Sequence, residues 1–165
     1  MRDIEQELSP FIEQLAQLLI GRGALLTCAE SCTGGLAAAL LTAMPGCSSW
    51  FDRGFVAYSN ASKSEMLSVS PDTLETLGSV SEPAVAQMAA GAVARSNATL
   101  AMAMSGVAGP AGGSMEKPVG TVCLAWYLGP GVIDTTTEHF DGDRASIRAQ
   151  TVCSSVQGLL SRLVA

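Results

Sequence analysis

Among the 165 residues there is one histidine, His139, and there are two lysines, Lys63 and Lys117. His139 lies in the run TTTEHF, where strand alternation puts it on one face with Thr135 and Thr137, an exposed sheet surface, so a Ser-His-Asp triad is disfavoured. No C-x-x-C pair occurs. The five cysteines, at 28, 32, 47, 123 and 153, are odd in number and scattered, which favours reduced, mostly buried thiols over zinc or disulfide roles. There is no run of like charges either. With a net charge of −6 and a pI near 4.6, the electrostatic footprint of a nucleic-acid binder is missing, and any anion must be held by a local site. No apolar stretch approaches the roughly 18 residues that span a bilayer. The opening MRDIEQELSP carries acids where a signal peptide would have a basic region followed by apolar residues. The expectation is a soluble cytoplasmic protein with no membrane or nucleic-acid partner.

What is present supports a sizeable core: 48% of residues are hydrophobic and the mean hydropathy is +0.33. One domain over 1–165 is the simplest organisation at this length. Apolar residues at Ile4, Leu8, Phe11, Ile12, Leu15, Leu18 and Leu19 repeat near 3.6, predicting an amphipathic helix over 4–20 that ends at Gly21-Arg22-Gly23. A strand over 24–29 and an Ala/Leu-rich helix over 34–44 follow. Then come a strand over 51–58, a short helix over 62–69, and an apolar helix over 83–95 capped by Ser81. Strands over 100–104, 119–127 and 132–140 precede a final helix over 144–164, the last two strands forming a hairpin around Gly129-Pro130-Gly131. The expected fold class is α/β, a single-domain layered α/β/α sandwich with a mixed, partly parallel sheet. In such sheets ligands gather at strand carboxyl ends, which here are the loops 30–35, 58–63 and 105–113. The last of these, SGVAGPAGGS, holds four glycines, Gly106 and Gly109 among them, so its backbone can approach a ligand closely or simply form a flexible connection.

The segment TCAESCTGG, residues 27–35, packs two thiols, a carboxylate and three hydroxyls before its two glycines. Glu30, Ser31 and Thr33 fall at the strand's end, where Ser31 or Thr33 serves either as a reagent or as a helix N-cap. The G-x-S-x-G frame of a nucleophile elbow is absent because Ala29 and Thr33 stand at the glycine positions. A nucleophilic serine needs a base. In YSNASK, Asn60 is a plausible N-cap that places Lys63 near the third helical position, where the helix dipole opposes a cation and favours the neutral amine. A misplaced surface lysine is the alternative. The S-x-x-K spacing of Ser114-Met-Glu-Lys117 is a decoy, because Gly112-Gly113 and Pro118 mark a loop where penicillin-recognising enzymes need a helix. A redox pair of Cys28 and Cys32 rests only on nearness in sequence. Finally, Arg144 and Arg148 stand one turn apart in the first two turns of the last helix, an unfavourable place for cations. They suit either a bound phosphate or pairing with Asp141 or Asp143.

Taken in order, AESCTGG, RGFVAYSNASK, VSEP, SGVAGPAGG, EKPVGTV and DGDR resemble the CinA carboxy-terminal domain family over residues 10 to 150. Characterised members of that family are nicotinamide-nucleotide amidases. The resemblance implies a metal-free and cofactor-free Ser/Lys amidohydrolase that releases ammonia from the carboxamide of nicotinamide mononucleotide. Matched motif by motif, it implies Ser31 as nucleophile and Lys63 as base, with Tyr58 helping to move the proton or orient the amine. Ser105 would be a hydroxyl of the substrate site, and Arg144 or Arg148 a phosphate contact. Gly34 and Gly35, with the turn amides before them, Thr33, Asn60, Gly106 and Gly109 complete the expected substrate surroundings, and Glu30 is a candidate to face the cationic ring. A small nucleotide is the expected ligand and a homo-oligomer the expected state. The competing expectation is a paralogue that binds a pyridine nucleotide without turnover.

Overall fold

The computed structural model describes residues 2–164. Helix α1 (Arg2–Arg22) buries Leu8, Ile12, Leu15 and Leu19, the stripe that the 3.6 spacing predicts. Strand β1 (Leu26–Glu30) leads through a glycine turn into α2 (Leu36–Thr42), and a 3-10 turn at Cys47–Ser49 precedes β2 (Phe51–Val56). Helices α3 (Asn60–Leu67), α4 (Pro71–Thr76) and α5 (Glu82–Ala94) follow, then strands β3 (Leu100–Gly106), β4 (Thr121–Gly129) and β5 (Val132–His139), and α6 (Arg144–Val164). Helix α4 and the short 3-10 turn at Cys47–Ser49 are absent from the expectation; α4 shows why. Its six residues, PDTLET, are too few to display a periodicity, although Ser70 at the N-cap and Pro71 behind it are ordinary start signals.

Five strands form one sheet in the order β2-β1-β3-β4-β5, parallel among the first three and antiparallel from β3 to β5. The central strands β1 and β3 are buried on both faces; β3 accordingly opens on the apolar run LAMAM, while the polar Thr27 and Glu30 of β1 are buried with hydrogen-bond partners. Strand β5 closes one edge and alternates between exposed and half-buried residues. One core lies between the sheet and α1, α2 and α6, where Leu26, Cys28, Met102, Met104 and Trp126 point. The other lies under α5, where Ala29, Ala57, Ala101, Ala103 and Cys123 point. The α/β/α layering follows from this division, and the expected fold class holds. Against β4, α6 approaches so closely that a Cβ on Gly158 would stand 2.3 Å from the Trp126 ring, whose Nε1 donates to the Ser155 carbonyl at 2.8 Å.

The order of connections opens the site. The chain leaves β1 toward α2 on one face and leaves the adjacent β2 toward α3 on the other, so a crevice forms at the carboxyl ends of these two strands. Nothing in the described residues forms a helix long and apolar enough to cross a membrane.

Candidate active site

Pleating decides which side chains reach the crevice. On β1, Cys28 and Glu30 share the α2 face, while Thr27, Ala29 and, one residue beyond the strand, Ser31 turn to the α5 face. Glu30 therefore does not face a substrate ring, contrary to expectation. Its side chain is 0% exposed, Oε2 accepts from the amides of Gly35 and Ala37 at 3.0 Å, and Oε1 accepts from Ala38 at 2.8 Å. A carboxylate is thus locked onto the first turn of α2, where the helix dipole and unpaired amides favour an anion. The turn between them needs two residues at positive φ, and Gly34 (φ 58°) and Gly35 (φ 93°) supply them. Gly34 N donates to the Ser31 carbonyl at 3.1 Å and Ser31 N to Met104 O at 3.0 Å, which ties the turn to the end of β3. The amides of Cys32 and Thr33 donate to no backbone carbonyl among the described residues.

Lys63 arrives from the other side of the crevice. The N-cap of α3 is Ser59, whose hydroxyl accepts from Ser62 N at 3.0 Å, so Asn60 is the first helical residue and Lys63 the fourth, one position further on than predicted. The side chain runs inward and is 1% exposed; its Nζ lies 2.9 Å from Ser31 Oγ, 3.0 Å from the Ala57 carbonyl and 2.9 Å from the Tyr58 carbonyl. Burial holds the amine below its ordinary pKa, against an opposing influence of Cys32. Ser31 itself is 7% exposed. The adjacent Cys32 thiol is pushed up to about 11, chiefly by burial, although Arg148 and Lys63 pull it down, and Cys28 is raised by burial and by Glu30. Neither thiol is a nucleophile near neutral pH.

Tyr58 contributes to the amine's surroundings through its carbonyl. Its phenol is on the surface, the residue 60% exposed, and the hydroxyl accepts from Arg144 Nη2 at 3.3 Å. Ser105 is buried at the end of β3 opposite Cys123, on the Lys63 side of the sheet. Asn60 is exposed and borders a separate hollow with Ser64 and Glu75, away from the nucleophile. Gly106 and Gly109 pack against protein: a Cβ on either would stand 2.6 Å from Val122 or Val119 respectively. Their smallness serves the closure of β3 on β4 and the 107–120 loop, and it does not line the nucleophile turn. Ser114 and Lys117 form a tight surface turn, with Lys117 Nζ donating to Leu77 O at 2.7 Å, as the loop reading predicts.

Asp143 caps α6 by accepting from Ser146 N at 2.8 Å. Neither Arg144 nor Arg148 pairs with a carboxylate among the described residues. Arg144 Nη1 donates to the Gly109 carbonyl at 2.9 Å, and Arg148 Nη2 donates to the Thr33 carbonyl. Both line a hollow of about 430 Å³ with Ala108, Pro110, Val119 and Asp143, within the size range of small-molecule sites. Among the described residues, two buried side-chain polar atoms lack partners, Thr33 Oγ1 and Arg148 Nε. The contacts that sequence reading missed are main-chain ones, the carbonyls of Ala57, Tyr58, Met104 and Thr33. No residue type encodes them, so only the tertiary fold reveals them.

The model of the CinA C-terminal domain matches residues 8–163. The nicotinamide-nucleotide amidohydrolase PncC of Escherichia coli (strain K12) is 48% identical over 155 residues, 94% of each chain. The protein of that name from Pseudomonas putida is 50% identical over 137 residues, 83% of this chain and 85% of its own. The crystal structure of competence damage-inducible protein A from Klebsiella pneumoniae subsp. pneumoniae MGH 78578 has a TM-score of 0.90 at 38% identity and covers 94% of this chain and 96% of that one. A competence/damage inducible protein from Agrobacterium tumefaciens matches with the same TM-score at 41% identity, covering 99% and 96%. Agreement in sequence and in fold over nearly the full length leaves one assignment: the chain belongs to the CinA C-terminal domain family.

Proposed function

We propose that this chain hydrolyses the carboxamide of nicotinamide mononucleotide to nicotinate mononucleotide and ammonia, through an acyl-enzyme on Ser31, as a step of pyridine nucleotide salvage. The observation that carries the reading is the buried contact of Lys63 Nζ with Ser31 Oγ at 2.9 Å, flanked by two carbonyl acceptors. A neutral amine has two N–H groups and one lone pair. With the N–H groups donated to the carbonyls of Ala57 and Tyr58, the lone pair is left facing the serine hydroxyl. Lys63 takes that proton, Ser31 Oγ bonds to the carboxamide carbon, and the carbonyl oxygen becomes an oxyanion within reach of the amides of Cys32 and Thr33. The C–N bond breaks as Lys63 returns its proton to the departing nitrogen, which leaves as ammonia. Water then repeats the sequence: Lys63 takes its proton, hydroxide adds to the ester carbon, and Ser31 regains a proton as the acid departs. Ser105 offers a hydroxyl on the same side of the sheet. The nucleotide's phosphate is assigned to the hollow at the start of α6, where Arg144 and the first-turn amides that Asp143 leaves free would meet an anion. The relatives named nicotinamide-nucleotide amidohydrolase support this choice of substrate.

The test is ammonia release from nicotinamide mononucleotide by the purified protein beside Ser31→Ala. The wild type turns over, while the variant binds the nucleotide and loses several orders of magnitude in kcat. Nucleotide binding without ammonia release by the wild type makes the chain a silent binding paralogue. Substantial turnover by Ser31→Ala removes the covalent mechanism.

A further inference from the structure

Arg148 stands in the second turn of α6, a place where a cation gains nothing from the helix. Among the described residues it has no carboxylate partner, its Nε is buried without an acceptor, and its one hydrogen bond goes to the carbonyl of Thr33 in the nucleophile turn. That carbonyl also accepts from Leu36 N at 3.2 Å, and the guanidinium lies close enough to the turn that a Cβ on Gly34 would be 3.7 Å from Nη2. Elsewhere in the turn, Ser31 N donates to Met104 O, Gly34 N closes back onto Ser31 O, and Gly35 N donates to the Glu30 carboxylate. The peptide between Thr33 and Gly34 is fixed by Arg148 from outside. On its two sides lie residues with strong conformational freedom, the glycine pair, and residues whose amides donate to no backbone carbonyl, Cys32 and Thr33.

We propose that Arg148 is a positioning residue for the nucleophile turn: its guanidinium pins the Thr33–Gly34 peptide so that the amides of Cys32 and Thr33 stay aimed at the developing oxyanion. Arg144, which meets Gly109 and Tyr58 at the outer side of the hollow, is left as the phosphate contact. The two arginines, one helical turn apart, thus divide between chemistry and binding. This assignment rests on the Ser31 amidase reading and deepens it.

Steady-state kinetics on nicotinamide mononucleotide and on its riboside, which lacks the phosphate, separate the roles. Arg148→Ala lowers kcat by about 10- to 100-fold on both substrates with little change in KM, in the range of other losses in oxyanion stabilisation. Guanidinium ion added at millimolar concentration restores part of that kcat, saturably, by filling the vacated space. Arg148→Lys, which keeps one donor for the Thr33 carbonyl, falls between the two. A readout free of turnover accompanies these: hydrogen exchange over residues 31–36 is faster in Arg148→Ala while the sheet is unchanged. If Arg148→Ala instead raises KM for the nucleotide alone, Arg148 is a phosphate ligand and the inference falls. It falls equally if kcat and exchange both stay at wild-type values. Should Arg148→Ala fail to fold, Arg148→Lys decides alone: reduced kcat on both substrates supports the assignment, and wild-type kcat overturns it. A wild type that releases no ammonia defeats the amidase reading, and the exchange comparison still judges the pinning.

Discussion

Lys63 Nζ and Ser31 Oγ, 32 residues apart in sequence, stand 2.9 Å from one another with the lysine 1% exposed. A lysine in that position gives up hydration that it would keep on the surface, and its hydrogen bonds to the two carbonyls replace part of that hydration while fixing the amine's direction.

Activity should accordingly fall on the acid side with an apparent pKa below the roughly 10.4 of a free lysine, because protonation removes the lone pair that accepts the serine proton. Lys63→Arg should be as inactive as Lys63→Ala, since a guanidinium keeps its proton at any working pH. An active Lys63→Arg enzyme reduces Lys63 to a binding charge.

The same group leaves a mark on stability. Between its lowered folded pKa and about 10.4 the unfolded chain binds a proton at this lysine that the folded chain does not, so stability rises with pH across that window and the gain is lost as pH falls. Denaturant titrations of wild type and Lys63→Met at several pH values should show the wild type gaining relative to the variant as the medium becomes more alkaline. Parallel curves would mean that Lys63 is charged in the folded protein.

Cys32 neighbours the nucleophile yet holds its proton, with a thiol pushed up to about 11 by burial. Cys32→Ala should retain kcat within a few-fold in the ammonia assay. Complete loss would move the nucleophile to sulfur.

Glu30 sets the start of α2. Glu30→Gln replaces an acceptor oxygen by an NH2 group facing backbone amides, leaving buried donors unpaired at about 1–3 kcal/mol each. A lowered Tm with reduced kcat is expected. A raised KM at unchanged Tm would restore the ring-facing role that the fold contradicts.

Arg144→Ala should raise KM for the nucleotide about tenfold, since one charge-assisted hydrogen bond is worth roughly 1.5–3 kcal/mol, and should hardly affect the riboside. Added salt should weaken the nucleotide more than the riboside. Equal slowing of both substrates would tie Arg144 to the fold or to the chemistry.

The sequence announces some of this arrangement and conceals the rest for identifiable reasons. The long helices α1 and α6 declare themselves by their buried stripes, and the β4–β5 hairpin by Gly129-Pro130-Gly131. Lys63 is legible because a lysine in a helix's first turn is locally unfavourable, whereas Ser31 reads equally well as an ordinary helix cap and is singled out by the AESCTGG motif. The burial of Glu30 was also there to be read: it lies two residues from Cys28, on the side of β1 that faces the core. Ser59 and Asn60 are equally good caps and adjacent, so local preference cannot choose between them; the fold chooses Ser59. The remote grip of Arg148 on Thr33 has no local signature at all.

Because the carbonyls that orient Lys63 belong to the residues just before α3, and the lysine itself to the helix's first turn, the site is sensitive to the count of residues between them. One residue added between Ser59 and Lys63 rotates the amine by about 100° about the helix axis and carries it off Ser31 with no change in any side chain. The same insertion in the turn at Gly129–Gly131, on the far side of the sheet's hairpin, meets only solvent. Length variation among chains that keep this chemistry should therefore collect in the hairpin and be excluded from the five residues leading to Lys63.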